Sequence, residues 1–241
     1  MASFSGSFSH RILNAFYKKS RKNINNKWRY ILQSRSFCER CHKPIKFWYL
    51  PPIFGYFFSG RKCPYCLEQI PVKYPIEESL SFLYGLILAY NHPDLYFILS
   101  TGFYYIAIYV LIQTDKAFFL IPTESILFIL CLGLFESFLI RADNLNSISL
   151  KFDLLTAFFW YFAFYGIRFF SGNKLGIADI RLTFALCIAV GYPYSLFLPT
   201  LGSLLGIITY MIIHRQILLK GKTKIAFGVY LGFSFLFLRL F

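Results

Sequence analysis

The chain has 241 residues, of which 57% are hydrophobic, 21% aromatic and only 15% charged. A soluble domain carries about 25% charged residues, so this composition, with a mean hydropathy of +0.54, excludes an ordinary soluble enzyme and a disordered chain alike and points to a membrane protein. Lys and Arg number 25 against 11 Asp and Glu, and 14 of the basic residues fall between Arg11 and Lys73 with only Glu39 and Glu68 among them. Beside long apolar runs such a block reads as a cytoplasmic segment held by the positive-inside rule. No nucleic-acid partner is expected, because no basic–aromatic repeat offers a base-stacking platform.

In chain order, residues 1–9 are small and uncharged and lack the basic and apolar regions of a signal peptide. Residues 18–75 are basic and broken, and 38–75 hold four cysteines and six prolines, the mark of a small loop-rich module. Cys38-x2-Cys41 is followed after 21 residues by Cys63-x2-Cys66. Two such knuckles match a tetrahedral four-thiolate zinc site, closed and therefore structural. Two disulfides, free thiols or a redox pair are the alternatives, and a reducing compartment disfavours disulfides. Cys131 and Cys187 lie inside apolar spans and read as small core residues.

From Ile76 onward the chain is apolar, with spans expected at 76–90, 95–113, 123–140, 152–170, 180–192, 194–213 and 225–241. Asn91-His92-Pro93-Asp94, Arg141-Ala142-Asp143-Asn144, Gly191-Tyr192-Pro193 and Lys220-Gly221-Lys222 punctuate them. The first and fifth spans are short, so they are expected to be tilted, extended at their ends or buried behind neighbours. With the basic block inside, Lys116, Arg168, Lys174, Arg181, Arg215, Lys220, Lys222 and Lys224 lie near inner connections. Arg141, Lys151 and Arg239 lie near outer ones, and the imbalance supports this orientation.

An ionisable group at a membrane span is costly, which makes it a functional candidate. Asp115 ends the second span and Asp179 begins the fifth, and the topology puts both on the cytoplasmic side. Two carboxylates sharing one proton can activate water and polarise an amide carbonyl. Taken singly, Asp179 reads as a helix N-cap and Asp115 as a solvated loop acid beside Lys116. Glu77 and Glu78 read as first-turn helix acids, Glu136 as a buried or cavity-facing acid of unknown role, and Asp143 and Asp153 as outer-boundary residues. His10, His42, His92 and His214 have no ligand spacing.

These residues resemble, in order, the motifs of the type IV prepilin peptidases, inner-membrane GxGD-type aspartic peptidases with a cytoplasmic zinc-binding loop. Gly6-Ser7-Phe8 and Arg11 are similar to the end of the family's first membrane helix. Phe37-Cys38-x2-Cys41 with Pro44-Ile45, Pro52-Ile53-Phe54-Gly55-Tyr56 and Gly60-Arg61-Lys62-Cys63-x2-Cys66 are similar to its cysteine loop. Ile70 and Tyr74-Pro75-x-Glu77 resemble the start of its second helix. Asp115 with Ile121-Pro122 resembles the first catalytic aspartate and its signature. Gly176-x-x-Asp179-x-Arg181-Leu182 resembles the GxGD element, and Lys224-Ile225-Ala226-Phe227-Gly228 with Gly232 resembles the start of the last helix. Ala178 stands where that element has its second glycine, and Thr123 where an aspartate follows Ile-Pro.

The resemblance implies an all-α polytopic bundle of about seven spans over 76–241, a cytoplasmic zinc-knuckle module within 18–75, and residues 1–17 as a remnant of a largely missing first helix. It implies cleavage of the basic leader of type IV prepilins or pseudopilins at the cytoplasmic face by Asp115 and Asp179. Gly176, Pro122 and Glu77 would support the pair, and Cys38, Cys41, Cys63 and Cys66 would hold structural zinc. Many members also methylate the new N-terminus with S-adenosylmethionine. The alternatives are a catalytically silent relative or a zinc-knuckle membrane adaptor serving as an assembly scaffold.

Overall fold

A computed structural model describes residues 38, 40–41, 43–49, 51, 54–139, 147–213 and 226–241. The expected helix remnant 1–17, His42, Pro52-Ile53, Asp143 and the whole of 214–225 lie outside the described residues. The described chain is all-α and divides into two compact units, one ending at Asp94 and one running from Leu95 to Phe241. Among the described residues β-type pairing is confined to isolated bridges such as Lys62 with Gln69.

In the first unit a 3-10 turn over Phe47–Tyr49 packs against α1 (Phe54–Phe58). Gly55 makes this possible, because a Cβ there would stand 2.3 Å from the Tyr49 carbonyl oxygen. Helix α2 (Lys73–Asn91) follows, extended at both ends beyond the predicted 76–90. Its first turn accepts Pro75 because an N–H there has no intrahelical acceptor. That earlier start moves Glu77 and Glu78 out of the first turn, where the sequence had suggested them, and into the second.

The second unit consists of α3 (Leu95–Phe118), α4 (Thr123–Leu139), α5 (Ser147–Phe170), α6 (Ile177–Val190), α7 (Tyr194–Ile213) and α8 (Phe227–Leu238). With α2, these account for each of the seven predicted spans. By length and composition, α3 and α7 can each cross a bilayer alone. Helix α6 is the centre: it packs against α4, α5, α7 and α8, and every residue from Leu182 to Val190 except Phe184 is buried. A helix apolar all round belongs in such a position. Gly133 of α4 brings the two backbones together, since a Cβ there would meet Ala189 Cα at 2.9 Å.

The far end of the bundle is tied by polar groups inside and not by loops. Glu136 and Arg239 are both buried, and Arg239 Nη2 donates to Glu136 Oε1 and Oε2 at 2.8 and 2.6 Å. Tyr104 Oη donates to Glu136 Oε2 at 3.4 Å, and the guanidinium lies 4.8 Å from the Tyr104 and Phe97 ring centres. Arg239, counted above among outer loop charges, is therefore the partner of Glu136, and the outer count loses one charge. Nearby elements are joined similarly: Asp153 Oδ1 accepts the Tyr192 N–H at 2.6 Å, and the Thr156 and Ser195 hydroxyls meet at 2.9 Å.

Candidate aspartate site and metal centre

The two cysteine knuckles fold toward one another. In the second, Cys63 N–H donates to Glu68 O at 2.8 Å and Leu67 N–H to Cys63 O at 2.9 Å. Arg61 and Leu67 take left-handed backbone conformations there, with φ of 63° and 57°. In the first, Cys38 N–H donates to Lys43 O at 3.0 Å. An exposed Arg40–Glu68 ion pair joins the knuckles, an arrangement worth little by itself.

The result is four Sγ atoms that all lie within 4.8 Å of one another. Two close pairs cross between knuckles, Cys38 with Cys66 at 3.9 Å and Cys41 with Cys63 at 4.0 Å. Zinc–sulfur bonds of about 2.3 Å in a tetrahedron put sulfurs about 3.8 Å apart, so four free thiols at these separations fit a metal ion and none is in a disulfide. Burial opposes ionisation of Cys63, yet amide and thiol hydrogen bonds outweigh it and bring its thiol down to about 7. At Cys66 the Glu68 amide favours the thiolate, but burial and the neighbouring sulfurs push it up to about 11.

In the second unit Asp115 sits in the last turn of α3, buried to 4% exposure. The chain reverses just beyond it: Phe119, at φ 54°, donates its N–H to Asp115 O at 2.9 Å, and buried Pro122 precedes α4. Pro122 suits the position before a helix, where no N–H is needed. The first turn of α8 faces the Asp115 carboxylate, with Gly228 Cα bare beside Asp115 Oδ2.

Asp179 lies in the first turn of α6, half-buried. From sequence alone it reads as the N-cap, but Gly176 holds that position. Asp179 is the third helical residue, and its carboxylate folds back on the Gly176 amide, as the acid of a capping box does. A Cβ on Gly176 would stand 2.7 Å from Asp179 Oδ2. Arg168, at the end of α5, donates to Leu175 O and so anchors the turn that precedes this glycine.

The two aspartates, 64 positions apart in the sequence, lie close enough for the charge of Asp115 to act on Asp179. A water between two such carboxylates would meet a base on one side and an acid on the other, once the pair shares a proton. Glu77, the remaining supporting candidate, lies in α2 of the first unit, half-buried. Reasoning from sequence gave no part to the first turn of α8, although Gly228 stood within a segment already singled out.

Residues 1–92 match the family model described as Bacterial Peptidase A24 N-terminal domain. A prepilin leader peptidase/N-methyltransferase of Pseudomonas aeruginosa is 27% identical over 209 residues, covering 83% of this chain and 69% of that protein. A protein of the same name from Neisseria gonorrhoeae is 34% identical over 58 residues, 24% of this chain and 20% of that protein. No solved structure matches the chain.

Proposed function

We propose, from the premise that this chain belongs to the type IV prepilin peptidase family, that it is a membrane aspartic endopeptidase that removes the leader of type IV prepilin-like or pseudopilin-like proteins. The observation that carries the reading is the approach of Asp115 and Asp179 from different helices. Among the described residues neither carboxylate is joined to a Lys or Arg, which favours a shared proton over an ion pair.

In the proposed reaction the ionised member of the pair takes a proton from water as the water oxygen attacks the scissile carbonyl carbon. The protonated member donates to the carbonyl oxygen. Collapse of the tetrahedral intermediate breaks the C–N bond, and the leaving amine takes up the proton held by the base. Gly176 and Pro122 serve as supports, one leaving room for the Asp179 carboxylate and the other directing the chain away from Asp115. Glu77 is assigned to α2 as a further supporting residue.

We assign Zn2+ to Cys38, Cys41, Cys63 and Cys66, in a structural role that closes the knuckles. The charge distribution supports a multi-pass protein of the inner membrane with its aspartates toward the cytoplasm. Methyl transfer from S-adenosylmethionine is a second activity carried in the names of the relatives, and no residue of this chain is assigned to it.

The test is cleavage of a prepilin-like substrate in membranes containing the full chain, with Asp115→Asn and Asp179→Asn as paired variants. Loss of an acid–base group costs about 10²–10⁴ in rate, so each variant is expected to lose at least about a hundredfold while keeping its fold. Product surviving either substitution would sink the mechanism. No product from folded, zinc-loaded wild type would favour the silent relative.

A further inference from the structure

Resting on the peptidase reading above, we infer that Gly228 is a positioning residue for Asp115, and that the N-terminus of α8 forms the third wall of the aspartate site. The geometry is specific. A Cβ at Gly228 would stand 2.9 Å from Asp115 Oδ2, 3.0 Å from Ile121 Cδ1 and 3.4 Å from Leu111 Cδ2. The space that any other residue would fill is taken by the carboxylate itself.

Asp115 is nine-tenths buried, and its Oδ2 has no hydrogen-bond partner among the described residues. It is directed at the start of α8, where Gly228 and Val229 are the second and third helical residues. Val229 donates its N–H to Ala226 O at 3.3 Å, while first-turn N–H groups generally lack the regular intrahelical acceptor and the helix dipole makes that end favourable to an anion. Asp179 shows the same pairing in another form: its Oδ2 rests against Gly176, the N-cap of its own helix. Each carboxylate of the pair therefore meets a glycine at a helix start, Asp179 within its own helix and Asp115 on a helix more than a hundred residues away in the sequence.

Helix α8 is fixed against α3 by a second glycine one turn on. A Cβ at Gly232 would stand 2.8 Å from Ile108 Cγ2 and 3.4 Å from Ile112 Cδ1. Gly232 thus serves packing alone, while Gly228 faces the carboxylate. The neighbours that a methyl at position 228 would meet are all ends of side chains, so the Gly228→Ala chain can fold by moving them. Asp115 Oδ2 and Ile121 Cδ1 are the atoms that must yield, and misplacing a reacting group lowers the rate steeply, about a hundredfold for 1 Å.

The experiment compares Gly228→Ala with Gly232→Ala in the full chain reconstituted in membranes. Gly228→Ala should lower kcat for leader cleavage at least about tenfold, with KM within about threefold, and move the pH profile of cleavage. Gly232→Ala should leave the pH profile where it is, whatever it does to thermal stability. Coincident profiles for wild type and Gly228→Ala would overturn the inference. A second readout needs no activity and no folded Gly228 variant: in nitrogen-15-glycine-labelled protein, Asp115→Asn should move the Gly228 amide resonance and leave that of Gly232 nearly in place. An unmoved Gly228 resonance overturns the inference even where cleavage is normal. A moved one in a protein that cleaves nothing upholds the geometry and defeats the peptidase reading.

Discussion

At Gly176 an added Cβ would meet only the tip of Asp179, so a methyl there displaces a carboxylate and leaves the fold alone. Two residues on, Ala178 lies inside α6 in helical conformation, where alanine is about 0.5–1 kcal/mol more favourable than glycine. The two glycine positions of the GxGD element are therefore unequal in this chain. Gly176→Ala is expected to cut cleavage about ten- to a hundredfold with a melting temperature near that of wild type. Ala178→Gly, which completes the GxGD pattern, is expected to lower stability by about 0.5–1 kcal/mol and leave cleavage within about threefold. Cleavage rates and thermal melts on the same preparations check both, and normal activity in Gly176→Ala would remove the steric case. Asp115 and Asp179 were legible in the sequence because a carboxylate beside an apolar run stands out as costly. Whether Asp179 caps its helix or sits three residues inside was not, since that depends on where the helix starts, and Gly176 decides it.

Between elements, the bond that matters most is Glu136 with Arg239, joining α4 to the end of α8 with Tyr104 of α3 against both. Removing one member of a buried pair leaves a charge with no counterpart and costs about 3–5 kcal/mol, whereas replacing both by apolar residues is often neutral. Arg239→Met should therefore be strongly destabilising, and Glu136→Leu combined with Arg239→Met should recover most of the loss. A double-mutant cycle in denaturant reads this directly, and simple additivity would mean that the pair does not act as a unit. The helices themselves were legible, because apolar runs with Asn-His-Pro-Asp or Gly-Tyr-Pro between them leave few alternatives. Their partners were not: Glu136 and Arg239 stand 103 positions apart, and periodicity within one helix says nothing about which other helix it faces. For the same reason the part of Gly228 emerged only from packing.

Across the whole molecule, metal and helices divide the work. Among its described residues the first unit has few large buried side chains around its knuckles, where Cys63 is the buried cysteine, so the proposed zinc should supply much of its order. About one zinc per chain is expected by elemental analysis, and chelation or Cys63→Ser should open residues 38–70 to limited proteolysis. Equal protection with and without metal would argue against a structural ion. The second unit needs no such staple, for Glu136, Arg239, Asp153 and Thr156 are buried while Phe162, Phe169, Phe170 and Ile212 face out.

The brevity of α6 and α8 carries a mechanical consequence. With 14 and 12 residues they are only about 21 and 18 Å long, against about 30 Å of hydrocarbon in a typical bilayer. Both begin at the aspartate pair, and neither can reach the two faces of the membrane at once. Lipid mismatch of that size would be costly for an exposed helix, but α4, α5, α7 and α8 enclose α6, and α8 turns only Phe233 and Phe237 outward. Longer neighbours such as α3 and α7 meet the bilayer instead, so the carboxylates rest on helices shielded from the thickness of the membrane around them.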